Sequence, residues 1–384
     1  MAQTQVESNN KLVKYTREIY REFVRDNMFS PYMGTSINSI IRLKEELTSG
    51  GEQMNIPLVT RLKGRGKGSG TLVGNEERID NYGMRLWIDW ARHAVATKKS
   101  EEQKDSADIF GEAKPLLSEW GQERQRDDLI QALMALPSTS EPTGLGSDDG
   151  MTVNGVLYEA ATAAQRNTWN ANNSDRVLYG SAISNYNATH ATALGVLDTT
   201  NDRLTKGVIG LAKRVAKLAD PHIKPFKVRQ GYEYYVMFAG TNAFRDAKNS
   251  LETINKDARA REAMGMDNNP LFQDGDLLYD GVIIREVPEI SQFVTNVWTT
   301  LTTAGDSSGR VEPVFLCGQQ AAVLGWGQRP KPTFRKEDDY GFIKGVGTEM
   351  AYGAAKMFKK HPNDATTLKQ WGCVSVFVAA PSDA

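Results

Sequence analysis

Hydrophobic and polar side chains alternate along two stretches of this chain, on either side of a glycine-rich segment. The first stretch places apolar residues at every second position from Met54 to Leu58, and again at Leu62. The second places apolar residues at even positions from Tyr82 to Trp90. A period of two is typical of a strand that buries one face. The pattern predicts a long hairpin over residues 53–95, whose tip is rich in glycine.

The apolar face of this hairpin needs a partner. Isolated two-stranded hairpins are marginally stable in water, and a third element has to cover the apolar side. That element is either the chain's own body or a neighbouring subunit, and the pattern alone does not distinguish the two.

Other periodic segments predict a mixture of helices and strands. The predicted helices are 9–26, a short one over 37–50, 109–136 with Pro115 at its start or at a kink, 204–218, 241–261 and 319–326. The predicted strands beyond the hairpin are 232–239, 281–287, 311–316 and 374–380. Residues 137–150 read as a loop, and 151–201 as a surface-rich region without chemistry. Because helices and strands do not alternate regularly, we expect an α+β fold.

The composition narrows the function. The chain has 384 residues, with 46 Lys and Arg against 47 Asp and Glu, so bulk charge gives no case for condensing nucleic acid. Cys317 and Cys373 are far apart in sequence, which favours free buried thiols in a reducing compartment over a disulfide. There is no signal-peptide pattern and no apolar run long enough to span a bilayer. We therefore expect a protein made and kept in the cytoplasm, or in something assembled there.

The glycine-rich tip invites comparison with phosphate-binding loops, because consecutive backbone amides can cradle an anion. The spacing does not fit, since Lys67 is followed by Gly68 where such a loop has Ser or Thr. Basic side chains here could touch a phosphate backbone without sequence preference: Arg61, Lys63, Arg65 and Lys67. We favour a solvated loop that meets acidic residues on a neighbour.

Catalytic and metal-binding motifs are not evident in the sequence. The four histidines form no pair at helical or zinc-finger spacing. Carboxylates at 337–339 lie beside Arg335, Lys336 and Lys344, which favours an ion-pair network over a cation site. Trp87, Trp90 and Trp120 are expected in the core. We therefore expect no cofactor, no metal and no enzymatic activity.

Four blocks of sequence occur in an order that carries a resemblance. They are 47–51 with 56–58, Leu62, Gly64, Gly66, 72–77 and 92–95; then Leu116, Leu117, Trp120, Arg124, Asp128 and Leu133; then 269–272 with 279–283; and last 315–321 with 326–327, 339–341 and 353–356. Together, over roughly residues 40–360, the chain resembles the major capsid proteins of tailed bacteriophages of the coliphage N-four type.

The resemblance implies the Hong Kong 97-type coat-protein fold. It implies an N-terminal arm at 1–50, an extended loop at 51–97, and a spine helix with the start of the peripheral domain at 98–150. Residues 151–334 would be mainly the axial domain with part of the peripheral sheet, and 335–384 would return to the peripheral domain.

The resemblance also implies a structural function, namely self-assembly into an icosahedral head shell that encloses double-stranded DNA. The partners would be other copies in pentamers and hexamers, scaffolding, portal and decoration proteins, and packaged DNA touched non-specifically, with no membrane. The extended loop would lie over an adjacent subunit, which would bury the open face of the hairpin. We expect polar inter-subunit contacts from Arg65, Lys67, Glu76, Glu77 and Arg78, with Trp87 and Trp90 as anchors of the loop.

Two alternatives stay open at this stage. One is an encapsulin-like compartment shell of the same fold, which would package a cargo enzyme instead of DNA. The other is a hydrolase or metal-dependent enzyme within 151–330 that uses His190 or His222.

Overall fold

The computed structural model describes residues 27–46, 50–59, 62, 64–77, 81–104, 109–227, 233–261, 277–335, 339–361 and 364–383. The helix predicted at 9–26 lies outside these residues. Arg78 and the first two of the three carboxylates at 337–339 also lie outside them.

Helices and strands are interspersed along the described chain. The helices are α1 (Lys99–Glu102), α2 (Ala113–Met134), α3 (Ala163–Asn172), α4 (His190–Gly195), α5 (Lys206–Leu218), α6 (Thr241–Arg261) and α7 (Pro288–Asn296). The strands are β1 (Met33–Gly34), β2 (Ile41–Lys44), β3 (Gln53–Val59), β4 (Asn81–Trp87), β5 (Asp89–Lys98), β6 (Val177–Tyr179), β7 (Phe226–Lys227), β8 (Glu233–Ala239), β9 (Leu277–Tyr279), β10 (Val282–Glu286), β11 (Val311–Cys317), β12 (Ala322–Phe334), β13 (Ile343–Lys356), β14 (Phe358–His361), β15 (Asp364–Gln370) and β16 (Cys373–Ala379).

Two sheets and two hairpins organise the strands of the described residues. A five-stranded sheet has the order β1-β2-β12-β13-β5. A seven-stranded sheet has the order β6-β16-β11-β8-β10-β9, with β7 paired to β8. The separate hairpins are β3-β4 and β14-β15. Parallel and antiparallel pairs occur in both larger sheets, which confirms the predicted α+β class.

The seven-stranded sheet is buried on both faces. On β11, Val314 and Leu316 pack in the same cluster as α5 and α6, whereas Phe315 and Cys317 pack in the larger cluster on the other face. A strand covered on both faces reads as a continuous apolar run, which is why this one was predictable. The predicted helices at 204–218 and 241–261 and the predicted strands of this sheet are confirmed.

The long helix predicted at 109–136 is confirmed as α2, which a short 3-10 turn at Ile109–Glu112 precedes. Pro115 lies in its first turn, where a backbone N–H has no partner within the helix. Arg126 of this helix is an exception to the rule that charged side chains face solvent. Arg126 is buried, and its Nη1 lies 3.2 Å from Oε1 of the buried Glu289 in α7. Pairing is what allows both charges to leave water.

Two predicted helices are strands. The segment predicted as a helix at 319–326 enters β12, which pairs with β13 on one side and with β2 on the other. The short helix predicted at 37–50 contains β2. The β3-β4 hairpin packs tightly on β12 at Gly325, where a Cβ would be 2.5 Å from Cδ2 of Leu86. Tertiary pairing outweighed the helical propensity of the alanines and leucine.

Candidate assembly surface

The predicted hairpin is present as β3 and β4, paired antiparallel from Gln53↔Trp87 to Val59↔Asn81. Its alternation is as the sequence predicted. The buried apolar side chains on one face are Met54, Ile56, Leu58, Met84 and Leu86. We call this paired part of the hairpin the loop base, and residues 62–77 the loop tip.

The chain's own body covers the apolar face of the loop base. These side chains form one cluster with Val323 of β12, Ala355 of β13, Met357 and Phe358. The expectation that a neighbouring subunit buries this face is therefore wrong for the base. The third element that the hairpin needs comes from the same chain.

The second arm of the predicted hairpin is two strands and not one, with a break at Ile88. β4 ends at Trp87 and β5 begins at Asp89, and the two strands belong to different sheets. The alternation changes phase at this junction, so Trp87 and Asp89 are both buried, whereas 49% of Trp90 is exposed. The core position predicted for Trp87 is confirmed, and the one predicted for Trp90 is wrong.

Asn154 fixes the end of the loop base to the body. The backbone N–H of Trp87 donates to Oδ1 of Asn154 at 2.9 Å, and Nδ2 of Asn154 donates to the carbonyl of Trp87 at 2.9 Å. Gly353 of β13 lies against the same carbonyl, and a Cβ there would be 2.0 Å from the Trp87 oxygen. The close approach requires glycine.

Asp89 ties the loop at 137–150 to the same junction. Its Oδ2 accepts hydrogen bonds from the backbone N–H groups of Gly146 at 2.9 Å and Met151 at 2.7 Å. Its Oδ1 accepts from the N–H of Trp90 at 2.8 Å. Three donors satisfy a carboxylate that is only 6% exposed. No sequence pattern marks Asp89 or Asn154, because their partners include backbone groups that are distant in sequence.

The loop tip differs from the base. Arg65, Lys67 and Glu76 are exposed and make no hydrogen bond or ion pair within the part of the chain that the structure describes. Glu77 is also exposed, and its Oε2 accepts a hydrogen bond from the N–H of Gly64 at 2.7 Å, which closes the tip. Large apolar side chains are exposed here as well: Leu62 at 59%, Leu72 at 66% and Val73 at 80%.

Trp90 lines an open cleft beside the loop base. The cleft has a volume of about 530 Å³, and Glu52, Ile88, Glu141 and Leu145 contribute to its walls. An exposed indole beside carboxylates offers both apolar contact and negative charge to another molecule.

His190, one of the histidines considered for catalysis, is buried between two tyrosines. Its Nε2 lies 2.9 Å from the hydroxyl of Tyr158, and its Nδ1 lies 2.6 Å from the hydroxyl of Tyr179. Burial, helped by the charge of Arg166, lowers the pKa of His190 to about 3. The region predicted to be surface-rich therefore contains a closed polar network in the core.

The described residues contain no group of three or more His, Cys, Asp or Glu side chains that could hold a metal ion. Among the helices that the structure describes, none combines the length and apolar character needed to cross a membrane.

Comparisons with known proteins identify the class. The structure matches that of the "Cyanophage Pam1 capsid asymmetric unit" with a TM-score of 0.86 and 34% identity, covering 100% of both chains. It matches the "Capsid of Ralstonia phage GP4" with a TM-score of 0.70 and 20% identity, again covering 100% of both chains. The acid-stable capsid of Helicobacter pylori bacteriophage KHP30 matches with a TM-score of 0.66 and 14% identity, over 97% of this chain and 96% of that chain. These matches confirm a phage coat-protein fold of the Hong Kong 97 type.

The family model described as "Phage capsid protein" matches residues 3–382. The chain belongs to this family of phage capsid proteins, and its role is structural, as a component of a virion capsid. No curated protein sequence matches the chain significantly.

Proposed function

We propose that this protein is the major subunit of an icosahedral phage head, and that the loop tip holds neighbouring subunits together. The observation that carries the proposal is the contrast within one hairpin. The base is fixed to its own chain through Asn154 and an apolar cluster, whereas the tip exposes apolar side chains and the charges of Arg65, Lys67 and Glu76, which have no partner among the described residues. Because the chain belongs to a family of capsid proteins, we infer that the partner of the tip is a second copy of the chain.

Weak contacts are sufficient for such a shell. Each subunit engages several neighbours at once, so effective concentration makes the sum of the contacts stable. Weak individual contacts also allow misplaced subunits to dissociate before the shell closes.

We assign the polar contacts between subunits to Arg65, Lys67, Glu76, Glu77 and Arg78. Trp87 anchors the loop from inside the chain, and Trp90 provides apolar contact at the cleft. The acidic residues of that cleft, Glu52 and Glu141, complement the basic tip in charge.

The domain assignment follows from the proposed Hong Kong 97-type coat-protein organisation. We propose residues 1–50 as the N-terminal arm, 51–97 as the extended loop and 98–150 as the spine helix with the start of the peripheral domain. We further propose 151–334 as mainly the axial domain with part of the peripheral sheet, and 335–384 as the return to the peripheral domain. Strands β6 to β11 of the seven-stranded sheet support an axial unit within 151–334, to which 335–384 contributes only β16, and α2 packed on β13 supports a peripheral unit.

The remaining partners follow from the function of a head shell. We propose assembly in the host bacterial cytoplasm with scaffolding, portal and decoration proteins, non-specific contact with packaged double-stranded DNA, and no catalytic activity. The near-zero net charge of -1 fits a shell that touches DNA without condensing it.

Electron microscopy of the purified full chain, alone and after co-expression with a scaffolding protein, tests the proposal. We expect uniform icosahedral shells, or capsomers of five and six subunits. A small monodisperse oligomer under every condition would contradict the proposed function.

Charge reversal tests the loop tip. We expect Arg65→Glu with Lys67→Glu, and separately Glu76→Lys with Glu77→Lys, to leave the chain folded and lower the shell yield. Lys331→Glu, an exposed position on β12, is the matched control. Unchanged yield in both double variants would refute the assigned role of these residues.

A further inference from the structure

Cys317 and Cys373, distant in sequence, are directly opposite each other in the structure. They are register partners on the antiparallel strands β11 and β16 of the seven-stranded sheet, where Cys317 ends β11 and Cys373 begins β16. Both are free thiols, and both are fully buried. The sequence predicted two free buried thiols, and the fold brings them together.

The position within the ladder brings the two cysteines close together. The next pair along, Gly318 and Gly372, is hydrogen-bonded, with the N–H of Gly318 donating to the carbonyl of Gly372 at 2.8 Å. Because hydrogen-bonded and non-hydrogen-bonded pairs alternate, the cysteines occupy a non-hydrogen-bonded pair, where Cα atoms lie about 4.5 Å apart. Pro313, which has no N–H to donate, is in the same phase of β11, opposite Phe377. The separation falls within the Cα range that a disulfide accepts.

A buried cation accompanies the two thiols. Lys356, at the end of β13, is 3% exposed, and its Nζ has no hydrogen-bond partner among the described residues. This Nζ lies 5.5 Å from the centre of the Trp169 ring. Its charge acts on both sulfur atoms. An unpaired ammonium in a core is costly, and a thiolate would compensate it.

The two thiols are not equivalent. A hydrogen bond from Cys317, with further stabilisation from Lys356 and Ser375, lowers the pKa of Cys373. Burial raises the pKa of Cys317. Reactive thiols are those whose thiolate form is stabilised by donors and cations.

We propose that Cys373 and Cys317 form a peroxide-reactive thiol pair, in which Cys373 attacks and Cys317 resolves, so that a disulfide joins β16 to β11. The Cys373 thiolate attacks one oxygen of hydrogen peroxide, the O–O bond breaks, and the leaving hydroxide takes up a proton to become water. Cys373 is then a sulfenic acid. The sulfur of Cys317 attacks it, the S–O bond breaks, and the second water leaves with the Cys317 proton. The two thiols lose two electrons, and one peroxide becomes two waters.

The bond would join the central strands of the sheet across a long chain segment. That segment contains β12, β13 and the β14-β15 hairpin, so the bond would restrict the unfolded chain strongly. Peroxide is a suitable oxidant, because a molecule little larger than water needs only a small local opening to reach the core.

The test treats the purified full chain with graded hydrogen peroxide, removes the oxidant with catalase, and then denatures and alkylates the protein. Before treatment we expect two alkylated cysteines by mass spectrometry. After treatment we expect none, a mass lower by two hydrogens, and a linked peptide that contains both residues. Methionine sulfoxide in the same spectra reports the dose. Thiols that still alkylate once methionines are oxidised, or sulfinic acid without the linked peptide, would overturn the proposal.

Variants test the two roles. Cys317→Ser should leave a sulfenic acid on Cys373 that dimedone traps, whereas Cys373→Ser should give little adduct on Cys317. Lys356→Met, which replaces a buried cation with an apolar side chain, should slow oxidation about tenfold for each unit by which the pKa of Cys373 rises. Lys331→Met is the exposed control and should oxidise at the wild-type rate. Equal dimedone labelling of the two single-cysteine variants would refute the assigned roles.

Discussion

The loop base and the loop tip belong to one hairpin, yet their surroundings differ completely. In the base, Leu86 is fully buried and Asn154 satisfies both backbone groups of Trp87. In the tip, Leu72 is 66% exposed, and Arg65 and Lys67 extend into solvent. The base therefore belongs to the fold of one chain, whereas the role that we propose for the tip is contact with a neighbouring subunit.

This difference separates stability from assembly. Substitutions in the base should reduce the free energy of unfolding of the single chain. Substitutions in the tip should leave that free energy unchanged and affect only the shell. The following predictions test this separation, from the largest expected effect to the smallest.

Leu86→Ala should give the largest loss. Removing a fully buried leucine leaves a cavity, so we expect the free energy of unfolding to fall by about 2–5 kcal/mol. Chemical denaturation of the unassembled chain measures it. Leu72→Ala at the tip is the matched control. An equal loss in that variant would contradict the conclusion that only the base contributes to the stability of the single chain.

Acid should destabilise the body of the protein through His190. The folded state holds the pKa of His190 at about 3, against an ordinary value of 6.5, so the unfolded chain binds the proton more readily between these values. The contribution is complete above the ordinary pKa and is lost as the pH falls. At pH 4.5 we expect a loss of about 2–3 kcal/mol, near 1.4 kcal/mol per pH unit.

His190→Gln provides the control for the acid effect, because it keeps polar contacts without a titrating ring. Denaturation curves between pH 7 and 4.5 should show a shallower pH dependence for this variant. Identical slopes for the variant and the wild type would show that His190 is not the group responsible.

Asn154→Ala should weaken the attachment of the loop base. It leaves the buried N–H and carbonyl of Trp87 without their side-chain partner, which costs about 1–3 kcal/mol. Asn75→Ala removes an exposed hydrogen bond from Nδ2 to the carbonyl of Thr71, measured at 3.2 Å in the tip, and should cost much less. If the two variants unfold at the same denaturant concentration, Asn154 does not fix the base.

Leu72→Ala combined with Val73→Ala should have the smallest effect on folding. Both side chains are mostly exposed, so we expect a change of roughly 0.5 kcal/mol or less in unfolding and a clear fall in shell yield. Shell yield by sedimentation and unfolding by denaturant are measured on the same preparation. A stable shell at full yield would refute the proposed contribution of these apolar side chains to the contact between subunits.

Much of the fold could be predicted from local pattern. Three local patterns each indicate a buried face, whichever element covers it. They are the alternation from Met54 to Leu58, the helical spacing around Leu129 and Leu133, and the apolar run of β11. Such patterns depend on side-chain periodicity along the backbone, which is a local property. The family resemblance also rests on local blocks of sequence, and the family match confirms it.

The failures lie where a distant partner decided the outcome. The alanines near 322 have a helical propensity, but pairing with β2 and β13 makes them a strand. Trp87 is buried and Trp90 is exposed because the chain changes sheets between them. Asp89 and Asn154 carry no sequence signal, since the partners that tie them to the fold are backbone groups of other segments.

The sequence by itself determined the hairpin, the long helix α2, the α+β class and the family, because each depends on periodicity or on ordered local blocks. Only the tertiary structure decided that the chain covers the loop base itself and that Cys317 meets Cys373 beside Lys356. Those outcomes depend on which distant segments pack together, and packing is a property of the whole folded chain.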